Sequence, residues 1–453
     1  MSEAPSPSSH VANQGGGRPL DSDPICAPAT PTGGALCLIR LSGQGIHPIV
    51  DTLTGKQGAG LRHLLSAQGD IIDQAVVTRQ YAPRSYTGED AAEITIHGSP
   101  YILDQTLQRL TGLGCRIARP GEFTQRAFLN GKLDLAQAEA VADLIAADSH
   151  AAHQMAIGQL RGHTSAALND IRQQLLHLAT LLELELDFSD HEDLTFAPRT
   201  QIDQHACQAQ QHIVALIRTY RLGQAIKQGI HIALVGRTNV GKSTLFNQLA
   251  GDDRAIVSPY HGTTRDTIDD SFTLQGLRFR LTDTAGLRNT PDPVEQLGIQ
   301  RTKQAIAQAS IVIHVSDRDN DAPPPLSSQQ QLICVRNKTD LYPPTHLPPH
   351  TIPLCAKTGE GIDRLRQAIL QAANLPNTPP DLPVINNARH LQALTLAEQD
   401  LQRLRAALAN DAPAEILSED LRQAAEHIAQ ITGHTPTPDS VLENIFRNFC
   451  VGK

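Results

Sequence analysis

Gly236-Arg-Thr-Asn-Val-Gly-Lys-Ser243 fits the pattern GxxxxGK[ST], and it directly follows the apolar run Ile230–Val235. A helical stretch, Thr244–Leu249, comes next. The glycines let the backbone wrap a phosphate without Cβ clashes. The turn aims several N–H groups at the phosphate oxygens, and the helix N-terminus adds partial positive charge. In this frame Asn239, Val240, Gly241 and Thr244 belong to the cradle, Lys242 neutralises β/γ oxygens and Ser243 ligates Mg²⁺. With glycine near 7% of residues, the four fixed positions match by chance at roughly 3 in 100,000 per start, or about 0.02 per chain of this length. A strand in front and a helix behind make chance rarer still.

Three further motifs follow in order. Asn337-Lys-Thr-Asp340 comes after the apolar run Leu332–Val335. The Asp340 carboxylate can accept both hydrogens of guanine's N1–H and N2–H₂ edge. Adenine lacks that donor pair, and a site built around such an acceptor rejects it strongly. Lys338 belongs to the same turn. Asp283-Thr284-Ala285-Gly286 lies between, at a strand end, with Asp283 facing Mg²⁺ through water and the Gly286 N–H facing a γ-phosphate. Gly262-Thr-Thr-Arg-Asp266 stands where a switch loop belongs, with Thr264 as a second Mg²⁺ ligand. Cys355, Ala356 and Lys357 form the last base-contacting loop. Many guanine-nucleotide hydrolases place Gln directly after the Asp283–Gly286 pattern to orient water. Here that position is Leu287, which cannot polarise water. Asp292 and Glu295 are the nearest acids, and from sequence alone the plainer reading of each is a solvated loop residue.

The chain has 453 residues, enough for about three domains. It is 40% hydrophobic and 19% charged, so it can build cores. Its net charge of 38 − 47 = −9, with 3% aromatics and no Trp, disfavours a nucleic-acid coat protein. No run of 18 apolar residues is present. The first 20 residues have no apolar core and no basic start, so a secretory signal is not expected there. Seven scattered cysteines without CxxC spacing imply neither a disulfide scaffold nor a zinc site, and point to a reduced, cytoplasmic protein.

Residues 1–22 are Ser-, Pro- and Gly-rich and are expected to be a disordered tail. Short apolar runs separated by helical patches predict an α+β domain over 23–135. Ile171, Leu175, Leu178 and Leu182 mark one helix face within a helical half-domain, 136–226. Strands and helices alternate over 227–373, as in a parallel α/β sheet. After a Pro-rich linker, Leu391, Leu394, Leu401, Leu404 and Leu408 mark a second helical half-domain, 374–453. The simplest architecture inserts the α/β unit into one helical domain, whose two apolar stripes hide each other.

The whole chain from Asp23 to Lys453 resembles the tRNA-modification GTPase family MnmE, also called TrmE. Besides the order of domains, the resemblance rests on Tyr86-Thr-Gly-Glu-Asp90, Ile94-Thr-Ile-His-Gly98 and Arg119-Pro-Gly-Glu-Phe-Thr-Gln-Arg-Ala-Phe-Leu-Asn-Gly-Lys-Leu-Asp-Leu-Ala-Gln-Ala-Glu-Ala140. It rests also on the terminus Phe449-Cys-Val-Gly-Lys453. It implies an α+β N-terminal folate-binding-like domain, an all-α helical domain and an inserted Ras-like α/β P-loop G domain. It implies a cytoplasmic homodimer joined through the N-terminal domains, with no membrane segment. It implies a heterotetramer with the flavoprotein MnmG (GidA), which uses FAD and NADH. It implies that the complex adds an aminomethyl or carboxymethylaminomethyl group to C5 of the wobble uridine of certain tRNAs, with the one-carbon unit from 5,10-methylenetetrahydrofolate, for which 5-formyltetrahydrofolate is an analogue.

The resemblance also implies residue roles. GTP, Mg²⁺ and K⁺ meet at the G domain, with K⁺ held by Asn239, Ser258, Tyr260 and Thr263 in the stretch that includes Pro259, His261 and Gly262. The spacing alone reads Asn239 equally well as a turn residue. Glu295 takes the water-orienting role that Leu287 leaves empty. Arg40, Glu93, Lys132 and Lys453 contact the folate, whose pterin offers an amide-like edge to a carboxylate and whose glutamate tail is anionic. Read without the family, Arg40 is a strand-end surface charge, Glu93 a salt-bridge partner and Lys132 a helix N-terminal loop residue. Cys450 is needed for modification, by chemistry the sequence leaves open. The chain departs from the family at Cys355, where Ser is usual, at Ser258, where Thr is commoner, and in the Pro-rich loop 318–330. Two other classes compete. An RNA-binding GTPase of ribosome assembly would carry a basic domain after its G domain, whereas the last 70 or so residues here read as helical and mixed in charge. A regulatory GTP-binding scaffold would hydrolyse slowly and without preference for K⁺.

Glu295→Ala is expected to lower GTP hydrolysis while sparing GTP affinity. Single-turnover kinetics beside equilibrium nucleotide binding check this, and near-normal turnover would refute the assignment.

Overall fold

The computed structural model describes residues 23–187, 198–251, 271–281, 303–318, 321–327, 330–343, 347–373, 383–435, 438–447 and 449–452. They fall into two compact units. One comprises the described residues of Met1–Ala142, Ser165–Pro198 and Ala406–Lys453, the other those of Asp143–Thr164 and Arg199–Arg405. The expected tail, 1–22, lies outside the described residues.

The first unit opens with β1 (Ile25–Pro28), β2 (Leu36–Ser42), α1 (Ile46–Thr54), β3 (Gly60–Leu65), β4 (Ile71–Gln80) and β5 (Ala91–His97). It continues through α2 (Pro100–Gly112), β6 (Arg116–Ile117) and α3 (Glu122–Leu129) into α4 (Leu135–Ala146). The strands form one sheet in the order β3-β4-β5-β2-β1-β6, antiparallel except for β1 with β6. Alternation sets its inner face. Cys37, Ile39 and Leu41 of β2 and Ala92, Ile94 and Ile96 of β5 point into a core that Ile46, Val50 and Leu53 of α1 and Leu103 and Leu110 of α2 complete. The opposite residues of the same strands, Arg40 and Glu93 among them, lie on the other face in register with each other. Gly98 follows β5, and a Cβ there would sit 1.9 Å from the Gly34 carbonyl oxygen, so no larger residue fits that crossing.

Next come α5 (His150–Leu160), α6 (His163–Asp187) and α7 (Arg199–Gln228). Along α6, Ile171, Leu175, Leu178 and Leu182, the face read from their spacing, are all buried, and Leu168 extends it. The second unit then builds β7 (Ile230–Val235), α8 (Lys242–Ala250), β8 (Ser271–Leu274), β9 (Leu277–Leu281), α9 (303–308) and β10 (Ile311–Ser316). β11 (Gln331–Arg336), β12 (Thr351–Pro353) and α10 (Ile362–Ala372) finish it. The sheet order is β12-β11-β10-β7-β9-β8. Helices cover both faces: Leu245 of α8 and Leu365 and Ile369 of α10 pack with Ile232 and Ile313, while Ala305 of α9 packs with Ala233 and Val312. The sheet is the expected parallel α/β sheet, with β8 as its one antiparallel strand among the described residues. β8 pairs antiparallel with β9 through Gln275 and Gly276, both at positive φ (49° and 78°), as a two-residue hairpin turn demands.

After residue 383 come α11 (Ala388–Ala409), α12 (Ala414–Thr432) and α13 (Asp439–Phe446). Within the second unit α11 lies against α7. Gln210 donates to Glu398 at 2.9 Å and Arg405 to Asp203 at 2.8 Å. The Ile385 N–H donates to the Thr219 hydroxyl at 2.9 Å.

In the first unit a charge network pins α3 to β6. Glu122, only 3% exposed, accepts from Arg116 at 2.6 Å and Arg126 at 3.1 Å, and both arginines also meet Asp23. Burial pushes the Glu122 carboxyl up, but donors from Arg116, the Arg119 amide and Arg126 outweigh that and hold it at about 2. A carboxyl held below its ordinary value of 4.5 adds stability that is present above that pH and lost as pH falls through about 2. Glu122→Gln is therefore expected to flatten the pH dependence of unfolding between those two values and to cost on the order of 3 kcal/mol at neutral pH, since it leaves buried arginine charge unbalanced. Denaturant unfolding measured across pH checks both effects.

Candidate functional site

β7 is paired on both sides, with β10 and β9, and its carboxyl end runs straight into the Gly236–Ser243 loop. Sequential connection turns one way to β9 and the other way to β10, so this loop sits where strand order reverses, the usual ligand crevice of an open α/β sheet. Close packing explains its glycines. A Cβ on Gly236 would lie 2.1 Å from the Val315 carbonyl oxygen, and one on Gly241, at φ 98°, would lie 2.3 Å from Nδ2 of Asn337. Asn239 takes a left-handed turn at φ 65° with its side chain exposed. Val240 is buried and anchors the loop. Gly241 caps α8, so Lys242, Ser243 and Thr244 form the first turn, where free N–H groups and the helix dipole favour an anion. Lys242 arches back over the loop, its Nζ donating to the Gly236 and Arg237 carbonyls at 2.8 and 2.7 Å. Burial pushes its ammonium pKa down. Ser243 and Thr244 are exposed, so the Ser243 hydroxyl is open to a cation beside a bound phosphate.

Asn337, 2% exposed, joins three loops. Its Nδ2 donates to the Val240 carbonyl at 2.8 Å, and its Oδ1 accepts from the Ala356 N–H at 2.9 Å. Lys338, at φ 60°, straps the arrangement by donating to the Asn239 carbonyl at 2.7 Å and to Asp317 at 3.1 Å. Asp340 stands exposed in the same turn. Cys355 is buried, its N–H donating to the Glu360 carbonyl and its own carbonyl accepting from Gly359, so its side chain faces inward and Lys357 faces out. The structure thus gathers Asn239, Val240, Gly241, Lys242, Ser243, Thr244, Asn337, Lys338, Asp340, Cys355, Ala356 and Lys357 at one sheet edge. Asp317 is an addition. Its only sequence signal is a charge two residues after the apolar run Ile311–Val315. Ser258, Pro259, Tyr260, His261, Gly262, Thr263, Thr264, Asp283, Thr284, Ala285, Gly286, Leu287 and Glu295 lie outside the described residues.

The first unit holds a second candidate site. Arg40 of β2 and Glu93 of β5 are direct cross-strand partners. Arg40 donates through Nε and Nη2 to one Glu93 oxygen, at 3.0 and 2.9 Å. The pair lines a small cleft with Ser42, Gln80, Tyr86, Thr87 and Phe123. The Arg40 guanidinium lies 5.5 Å from the Tyr86 ring centre and 5.9 Å from that of Phe123. Tyr86 donates to or accepts from Thr124 at 2.9 Å, and burial pushes its phenol pKa up. Behind the cleft, Ser42 meets Thr87 at 2.6 Å and donates to Glu89 at 2.7 Å. Lys132 is not among the cleft-lining residues. It lies in the turn between α3 and α4, and its Nζ reaches across to the Tyr86 loop, donating to the Pro83 carbonyl at 3.0 Å. Cys450 is exposed, and Lys453 lies outside the described residues. Tyr86 and Phe123 were visible in the sequence only as members of longer motifs.

Known proteins resemble this chain along nearly its whole length. The family model of the MnmE helical domain matches residues 135–450, and that of the GTP-binding protein TrmE N-terminus matches residues 24–132. A tRNA modification GTPase MnmE of Parabacteroides distasonis is 42% identical over 459 residues, spanning 95% of this chain and 99% of the relative. The protein of that name from Bacteroides thetaiotaomicron is 42% identical over 471 residues, spanning 96% and 100%. Among solved structures, Aquifex aeolicus Era bound to GDP.AlF4- aligns with a TM-score of 0.22 at 26% identity, over 38% of this chain and 66% of that one.

Asn337→Ala removes the bridge between the Val240 carbonyl and the Ala356 amide and leaves both buried groups unpaired. Each orphaned group costs about 1–3 kcal/mol, so nucleotide affinity is expected to fall by at least about tenfold. Equilibrium titration with a fluorescent nucleotide checks this, and unchanged affinity would contradict it.

Proposed function

We propose, from the premise that the chain belongs to the MnmE family of tRNA modification GTPases, that it is a potassium-activated GTP hydrolase. Acting with the flavoprotein MnmG (GidA), it installs an aminomethyl or carboxymethylaminomethyl group at C5 of the wobble uridine, position 34, of certain tRNAs. The observation that carries the reading is the Asn337 bridge, which fixes a phosphate cradle beside an exposed aspartate suited to guanine.

The cradle fits a nucleotide triphosphate. Glycine stands at the two places where a Cβ would collide with Val315 or Asn337, and the first turn of α8 presents its amides outward. Ser243 with Thr264 would hold Mg²⁺, and Asn239 with Ser258, Tyr260 and Thr263 would hold K⁺. Bound there, the cations offset the charge that develops as the γ-phosphoryl leaves. Lys242 neutralises β/γ oxygens, Asp340 accepts from the guanine edge, the Ala356 amide contacts the base, and Glu295 orients the attacking water. The exposed Asn239 side chain at the lip of the loop supports its part in the cation site.

The cleft fits a folate. A carboxylate already paired to a guanidinium, walled by Tyr86 and Phe123, suits a flat heterocycle with an amide-like edge. Arg40, Glu93, Lys132 and Lys453 would hold 5,10-methylenetetrahydrofolate or its 5-formyl analogue, which supplies the one-carbon unit, and Cys450 serves the modification step. Residues 23–135 form the folate-binding and dimerisation domain, 227–373 the G domain, and 136–226 with 374–453 the helical domain. The protein works as a homodimer in the cytoplasm, in a heterotetramer with MnmG, on tRNA. Among the described residues no helix is long and apolar enough to cross a membrane.

GTP hydrolysis is expected to run at least about tenfold faster in K⁺ than in Na⁺ at equal ionic strength, the scale at which one well-placed charge acts on a phosphoryl-transfer barrier. Equal rates would refute cation activation, and unchanged wobble uridines in tRNA from cells lacking this chain would refute the modification role.

A further inference from the structure

We propose that Arg40 is a positioning residue for the C-terminal thiol, holding Cys450 at the rim of the Arg40–Glu93 cleft. The inference rests on the folate-cleft reading and adds a role that Arg40 plays through another residue.

Arg40 has more donors than Glu93 uses. While Nε and Nη2 bond Glu93, Nη1 donates to the Gly452 carbonyl at 3.1 Å, a contact between residues 412 positions apart. The planar guanidinium aims these donors in fixed, different directions, which a lysine ammonium on a flexible stem cannot reproduce. Tyr86 and Phe123 flank the guanidinium and restrict its rotation.

The tail is seated at three further points. Gly452 adopts φ 94°, and a Cβ there would lie 2.3 Å from the Pro28 carbonyl oxygen, so the last described residue presses on the end of β1 through an approach only glycine allows. Two residues earlier, the Cys450 carbonyl accepts from the Gly121 N–H at 3.4 Å. Phe449 is buried against Phe446, with ring centres 5.3 Å apart, and against Gly121. Cys450 is thus fixed through its backbone on both sides while its side chain stays exposed. Its Cα lies within ~7 Å of that of Gly452, whose carbonyl Arg40 holds, because two residues of chain reach no further. A group in the cleft that draws on Glu93 also acts on the arginine that seats the thiol, so cleft and tail respond together.

The test uses the full-length chain and two variants that reach the tail by different routes. Gly452→Ala leaves Arg40, Glu93, Cys450 and Lys453 chemically intact but cannot seat against Pro28. Arg40→Lys keeps the charge and loses the fork. Hydrogen–deuterium exchange, read by mass spectrometry on peptides containing Gly121 and Phe449–Gly452, is expected to quicken by about tenfold or more in both. In Gly452→Ala, wobble-uridine formation is expected to fall about tenfold or more, with GTP hydrolysis within about twofold of the parent, as fits a misplaced but intact thiol. Unchanged tail exchange in Arg40→Lys, or full modification by a Gly452→Ala chain whose tail is released, would overturn the proposal. Calorimetry of the parent chain with 5-formyltetrahydrofolate is read separately. Absence of heat there would remove the cleft reading alone, and the exchange data would still decide whether Arg40 seats the tail.

Discussion

One buried carboxamide holds the nucleotide edge of the second unit together. Asn337 offers its donor to the phosphate loop and its acceptor to the 355–357 loop, and both bonds are shielded from water. A hydrogen bond in such surroundings is costly to lose, because neither partner can fall back on solvent. The loops it joins leave three different strands, β7, β11 and β12. Their relative position would otherwise depend on the sheet alone. Lys338 repeats the link from the exposed side through Asn239 and Asp317. Asp340, three residues from Asn337, is thereby held at a set distance from the Gly236–Ser243 cradle. Base selection and phosphate binding become parts of one rigid edge.

The first unit solves a comparable problem with charge. Arg40 and Glu93 lie on the sheet face opposite the core, where two charged side chains in register would ordinarily be loose surface residues. Aromatic walls and backbone acceptors fix them instead. Below them Glu122, Arg116, Arg126 and Asp23 neutralise one another with nearly every donor paired, the condition under which buried charge is tolerated. The network also ties α3 to the strand ends, and α3 carries Phe123 into the cleft wall. Support and site share the same residues.

Much of this was legible in the chain, and the limits have physical reasons. β7, β9, β10, β11 and β12 follow from apolar runs, and β2, β4 and β5 from runs bounded by turn residues. β1 and β6 are too short to show a period. In β3, Arg62 and His63 interrupt the apolar pattern. β8 joins its sheet through a hairpin rather than a crossover, so alternation of strands and helices cannot foretell it. At the nucleotide edge the motifs named the right residues but gave Asn337 no duty of its own, since its bonds run to residues 97 and 19 positions away. The Arg40–Gly452 contact has no local signal at all. Resemblance supplied Arg40 and Glu93 as two of four separate folate contacts, and only the register of β2 with β5 brings them face to face.

The central claim is that a guanine-selective triphosphate cradle sits at the carboxyl edge of the second sheet. Isothermal titration of the full-length chain with GTP and with ATP, both with Mg²⁺, tests it most directly. The account predicts one GTP per chain and ATP weaker by at least about a hundredfold, the discrimination expected when a site built to accept guanine's two edge hydrogens meets a base that lacks them. Equal binding of the two nucleotides, or no heat from GTP, would contradict it.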